Sequence, residues 1–228
     1  MSIISAYISP RSGVVASDGR MFAPAYYTDG QLLQSACIER EDFDKTFDLR
    51  HGKVVGAFCG LVSFGCQTIG DHARRIADVA GQSCRDLTSL ATVIAEGLRT
   101  ALDAVEPDEV SPEFWSIELL LAGGHSFRRS DVRTVHLRLA PDQGATQTSV
   151  DEVHPDRGRK WFYVAGDCPA QHAAKSVFQA DVDARQGTAY LTRTALAAIA
   201  DGIRATGPHP SGTQPACGGQ TFARAVCH

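Results

Sequence analysis

Apolar residues recur at helical spacing in two adjacent pairs of segments, and strand-like segments bracket each pair. This order constrains the fold more than any other feature of the chain. Ile69, Ala73, Ile76, Ala77 and Ala80 mark a first helix that Gly81 ends. Ser83, with Asp86 three residues on, predicts an N-terminal cap for the next helix. Leu87, Leu90, Ala91, Ile94, Leu98 and Leu102 give that helix one apolar stripe, and Glu106-Pro107 stops it. A second pair follows, marked by Ala170, Ala174, Phe178 and Val182, then by Leu191, Ala195, Ile199 and Ile203. Pro208 and Pro210 end it.

The remaining regular segments read as strands. Residues 2–9 and 14–20 are rich in β-branched and small residues and flank a Pro10-Arg11-Ser12-Gly13 turn. Residues 45–49 and 54–59 form a second predicted hairpin around Arg50-His51-Gly52-Lys53. Trp115, Ile117, Leu119 and Leu121 alternate, as do Val135, Leu137 and Leu139, with Gly123-Gly124 opening the connection. Residues 160–165 and 221–226 complete the set. Residues 21–44 and 141–159 are polar and aperiodic and are predicted to be loops. Strands, two helices, strands, two helices and a strand indicate α+β layers, not strict βαβ alternation. No repeat or linker divides the chain, so residues 1–228 are expected to form one domain.

Composition narrows the function classes. The net charge is −4 and the arginines are scattered, which gives no nucleic-acid footprint. No apolar run approaches the ~18 residues of a membrane span, and the first residues lack the pattern of a signal peptide. The seven cysteines form no CxxC pair, and the eight histidines show no HxH or HExxH spacing. Reduced thiols in a cytoplasmic protein, with no metal and no cofactor, are therefore expected. Walker and GxGxxG loops are missing.

The residues that carry chemistry start at Ser2, in SIISAYISPRSGVVASDGR. Removal of Met1 would place a hydroxyl and a free α-amine on one residue. A hydroxyl with its own adjacent base is an activated nucleophile. Asp18 follows sixteen residues later, and KTFDLRHGKVVGAFCG supplies Lys45 and Gly60. Each has a plainer reading. Asp18-Gly19 serves equally as a turn, Lys45 as a surface lysine, and Gly60 as the end of a strand. Lys53 competes with Lys45 but falls in the turn. Cys59 and Cys66 flank the region without an evident base partner, and His125, His136 and His154 read as exposed polar residues.

In one register these features resemble the proteasome β-subunit and HslV-like family of N-terminal nucleophile hydrolases. The resemblance covers most of the chain and is strongest over residues 2–60. It implies a four-layer αββα sandwich and peptide-bond hydrolysis with Ser2 as nucleophile and its amine as base. It implies that Lys45 favours the alkoxide, that Asp18 anchors Lys45, and that the Gly60 N–H serves the oxyanion. Ser2 and Asp18 should then share a sheet face, with even-sum facing pairs such as Ile4 opposite Asp18. Asp167, in VAGDCP, stands where the family has a serine near the amine, and Asp201, in AIADGI, matches a later family aspartate. Arg204 replaces the serine expected after it. The resemblance further implies a homo-oligomeric ring acting on peptides, with an ATPase partner left open and no propeptide before Ser2. A small-molecule amidase and a catalytically silent ring or scaffold subunit of the same fold remain alternatives.

Overall fold

The protein is described by a computed structural model. It describes residues 2–23, 26–28, 31–34, 37–105, 116–124, 126, 131–142, 145–153, 161–179, 187–207 and 215–227. The predicted stops at Glu106-Pro107, Pro208 and Pro210, and the residues Trp115, His125, His154, Lys160 and Val182, lie outside them.

In chain order the strands before the first helix are β1 (Ile3–Ser9), β2 (Ser12–Asp18), β3 (Met21–Ala23), β4 (Tyr26–Thr28), β5 (Gln31–Gln34), β6 (Cys37–Arg40), β7 (Thr46–Leu49), β8 (Val54–Gly60), β9 (Ser63–Phe64) and β10 (Gln67–Thr68). Helices α1 (Ile69–Val79) and α2 (Leu87–Asp103) follow. Then come β11 (Ile117–Gly124), β12 (Val132–Asp142), β13 (Ala145–Val153), β14 (Trp161–Gly166), α3 (Cys168–Gln179), α4 (Thr188–Ala205) and β15 (Thr221–Cys227). The chain is thus mixed α+β, and its paired strands run antiparallel.

Two larger sheets carry the architecture. One has the order β14-β1-β2-β15 and the other β13-β12-β11-β8-β7. Side chains alternate across each strand, so each sheet supplies two apolar faces. Ile3, Tyr7, Val14 and Ala16 pack with Ala170, Phe178, Leu191 and Ile199 of α3 and α4. Phe47, Phe58, Leu119 and Leu137 pack with Ile69, Ile76, Leu90 and Leu98 of α1 and α2. The opposite faces meet each other: Ile4, Ala6 and Val15 lie against Val55, Ala57 and Leu120. Cutting away any one of these faces would leave large apolar residues such as Ile3, Ile4 or Phe47 in water, at about 1.5–3 kcal/mol each.

Four expectations need correction. The described part of 21–40 is not a loop: β3 pairs β6, and β4 pairs β5. Nor are residues 141–142 and 145–153, because β12 runs on to Asp142 and pairs with β13 through nine facing pairs starting at Asp142↔Ala145, while residues 154–159 lie outside the described residues. Polar residues stand on both faces of β13, Thr146 and Thr148 on one and Gln147, Ser149 and Asp151 on the other, so no apolar alternation betrays the strand. Ser83 does not cap α2. It lies in a 3-10 turn (Gly81–Ser83), and the Asp86 carboxylate accepts the Ser89 N–H at 2.7 Å. The β1–β2 register is odd-sum: Ile4 faces Ser17 and Ser5 faces Ala16. The β1–β2 ladder stops at Ile4 opposite Ser17, so it reaches neither Ser2, which precedes β1, nor Asp18, which pairs instead with Thr221 of β15. Ahead of β1 the pleat does not fix the direction of the Ser2 side chain.

Among the described residues no helix is long and apolar enough to cross a membrane.

Candidate active site

Ser2 is clamped by its neighbour in the sheet. Gly166 ends β14 opposite Ile3, with φ of 108°. A Cβ there would collide with the Ser2 carbonyl, so both the left-handed backbone and the close approach call for glycine. The next residue, Asp167, donates its N–H to the Ser2 carbonyl at 2.9 Å. Ser2 is consequently buried and held from one side of the hairpin.

Asp18 comes from the other strand of that hairpin. Its Oδ1 accepts the Ile3 N–H at 3.1 Å, and its Oδ2 accepts the Gly218 N–H at 3.1 Å. The carboxylate is fully buried, so it needs a cation as well as donors. Lys45 supplies it from the start of the β7–β8 hairpin. Lys45 Nζ donates to Asp18 Oδ1 at 2.9 Å, to Ser2 Oγ at 2.7 Å and to the Arg20 carbonyl at 2.6 Å. Three acceptors match the three N–H groups of an ammonium. Lys45 is as inaccessible as Asp18, and Lys53 is exposed in its turn as the sequence indicated.

Gly60 lies at the exposed end of β8 with φ of 90°. The Leu61 N–H donates to the Ser116 carbonyl at 2.7 Å, which makes Gly60–Ile117 a non-hydrogen-bonded facing pair. The Gly60 N–H therefore points away from β11. Two residues earlier the Phe58 N–H, directed the same way, donates to the Lys45 carbonyl at 3.1 Å. Gly60 thus presents its N–H on the edge where Lys45 enters, beyond the first paired residue of β7. A Cβ on Gly60 would collide with the Ser116 carbonyl, so this position also excludes other residues.

The two supporting aspartates differ. The Asp167 carboxylate caps the start of α3 by accepting the Ala170 N–H at 3.3 Å, and it also accepts the Thr206 hydroxyl at 3.0 Å. Its tie to Ser2 runs through the main chain. Asp201 lies on α4, partly exposed and ion-paired with Arg204 one turn on. Among the described residues no hydrogen bond joins it to Ser2, Asp18 or Lys45.

Thr206, Gly166, Gly218 and Arg20 were not singled out in the sequence. The Arg20 guanidinium donates to the Pro215 carbonyl at 2.8 Å and to Glu41 at 2.8 Å, tying three segments around the carbonyl that holds Lys45. The Gly19-Arg20 and Gly218-Gly219 stretches were the available signals, but neither names its partner. His136 is buried and bonded to Glu118, contrary to the exposed polar reading.

The nearby thiols are poor nucleophiles. Burial, then the Glu118 charge, pushes Cys59 well above its ordinary range. Cys217 is pushed up to about 12 by burial and by Asp18. Cys66 is exposed in a left-handed turn. Among the described residues no group of three His, Cys, Asp or Glu is arranged to hold a metal ion. Among the described residues Ser2 Oγ is the hydroxyl that the buried Lys45 ammonium reaches. No protein-family model matches the chain, and no curated protein is similar to it.

Proposed function

We propose that this chain is a serine-type N-terminal nucleophile hydrolase of peptide bonds, resembling bacterial proteasome homologues, with Ser2 as nucleophile once Met1 has been removed. The observation that carries the reading is Lys45 Nζ bridging Ser2 Oγ and the buried Asp18 carboxylate. The order of the three apolar clusters, helices on a sheet, sheet on sheet, and sheet on helices, supports a four-layer αββα sandwich.

In this mechanism Ser2 Oγ attacks the amide carbonyl and the freed α-amine takes the hydroxyl proton. Lys45 lowers the energy of the developing alkoxide because its charge is already in place at 2.7 Å. The carbonyl oxygen becomes an oxyanion facing the Gly60 N–H. Collapse breaks the C–N bond, and the amine returns the proton to the leaving nitrogen. Water then hydrolyses the ester on Ser2 by the same exchange in reverse. Asp18 does not touch substrate. It fixes Lys45 and, through the Ile3 N–H, the backbone next to Ser2. Assembly into a homo-oligomeric ring, with or without an ATPase partner, belongs to the same proposal. So does a cytoplasmic location, which seven free cysteines support.

Intact-mass spectrometry after a β-lactone or vinyl sulfone probe tests the reading. The expected result is loss of Met1 and addition of one probe molecule, both in a species that cleaves peptides. Ser2→Ala should abolish labelling and cleavage. Retained Met1 with no labelling would replace this reading by a silent subunit.

A further inference from the structure

A second polar chain crosses between the two large sheets. Glu118 on β11, His136 on β12 and Tyr163 on β14 all lie on faces that otherwise meet through aliphatic residues. His136 Nε2 is 3.1 Å from Glu118 Oε2, and His136 Nδ1 is 3.1 Å from the Tyr163 hydroxyl. A carboxylate only accepts, so Nε2 carries the proton and donates to Glu118. In the neutral imidazole Nδ1 then accepts from the phenol. The two rings also pack, with centroids 4.8 Å apart. Burial, then the Glu118 charge, raises Tyr163 above its ordinary range, which keeps the phenol a donor. His136 is buried and both its ring nitrogens are used, so the chain has a defined direction.

What this chain grips is β14. Among the described strands it lies at the edge of its sheet and pairs with β1. Three residues after Tyr163 it ends at Gly166, and Gly166-Asp167 is the turn that holds the Ser2 carbonyl. The span is roughly 10 Å of extended backbone, too short to absorb a displacement. We propose that Glu118, His136 and Tyr163 are positioning residues that pin edge strand β14 to the opposite sheet and so fix the location of Ser2. This rests on the reading of Ser2 as nucleophile. None of the three touches Ser2, so their effect falls on the rate of the chemical step and not on the binding of substrate. Displacement of a nucleophile by a fraction of an ångström is enough, since about 1 Å can cost on the order of a hundredfold.

The test is kinetic and uses the full chain. Tyr163→Phe removes only the phenol oxygen. It should lower kcat and the rate of β-lactone labelling together, by about tenfold or more, with KM within roughly twofold of wild type. Glu118→Gln keeps an oxygen that accepts from Nε2 and should retain most of the rate, whereas Glu118→Leu should behave like Tyr163→Phe. Wild-type labelling rates in both Tyr163→Phe and Glu118→Leu would overturn the proposal while leaving Ser2 as nucleophile. A loss of rate in Glu118→Gln equal to that in Glu118→Leu would also overturn it, because a retained acceptor would then be of no use. Should Tyr163→Phe fail to fold, the Gln and Leu pair at position 118 decides. No labelling of the wild-type chain would overturn the nucleophile reading and this inference with it.

Discussion

Buried polar atoms in this molecule receive two opposite treatments. Every donor of the Lys45 ammonium is used, with three acceptors between 2.6 and 2.9 Å, and the Asp18 carboxylate has two backbone N–H groups besides. A few residues away, the hydroxyls of Ser5 and Ser17 are just as deeply buried and have no hydrogen-bond partner among the described residues. The contrast follows from desolvation. An unpaired hydroxyl costs about 1–3 kcal/mol, which a domain can tolerate, whereas an isolated buried charge costs far more. Partners therefore concentrate where the charge is. A buried ion pair is weak evidence for stability, since an apolar replacement often does as well. Its retention beside Ser2 is thus better explained by chemistry than by folding.

The largest expected break in this contrast is Lys45→Ala. It strands the Asp18 carboxylate without its cation and should cost roughly 3–5 kcal/mol in urea unfolding. A loss below about 1 kcal/mol would mean that the two backbone N–H groups suffice, and the contrast would collapse. A smaller effect is expected from pH. The folded Cys217 thiol keeps its proton up to about 12, while the unfolded thiol ionises near its ordinary value of 9.0. The unfolded state then binds fewer protons, so stability should fall as pH rises from about 9 towards 12. Thermal unfolding midpoints at alkaline pH should decline less steeply in Cys217→Ala; identical slopes would refute the thiol's part in it. The smallest effect is Ser17→Ala. Removing an unpartnered hydroxyl should leave stability within about 0.5 kcal/mol of wild type, or raise it slightly. A clear loss would reveal a partner for this oxygen and narrow the difference between the two regions.

Local pattern carried much of this fold and long-range pairing carried the rest. The β1–β2 and β7–β8 hairpins were legible from strand-forming residues around turn sequences, and the described helices from apolar residues at helical spacing. Strands β3 to β6 were not, since each is only three or four residues long, and β13 was not, since polar residues stand on both its faces. At the site, Ser2, Asp18, Lys45 and Gly60 stood out by spacing. The register between β1 and β2 was misjudged because the rule was extended past the ends of the ladder. Gly218 lies 200 positions from the carboxylate it serves, and Thr206 lies 39 from Asp167, so no local signal links either to its partner. His136 read as an exposed polar residue because its two partners come from other strands.

The bond from Gly218 to Asp18 has a consequence for how the protein is made. Translation delivers the carboxylate early and its last donor late, and the Arg20 grip on Pro215 and Cys217 waits for the same stretch. A nascent chain still threaded through the ribosome therefore holds Asp18 and Lys45 in an unfinished setting. Release of residue 218 and docking of β15 beside β2 complete the arrangement. Synthesis itself thus sets the order in which the pair is completed, and a product terminated before residue 218 would leave Asp18 Oδ2 without its Gly218 donor.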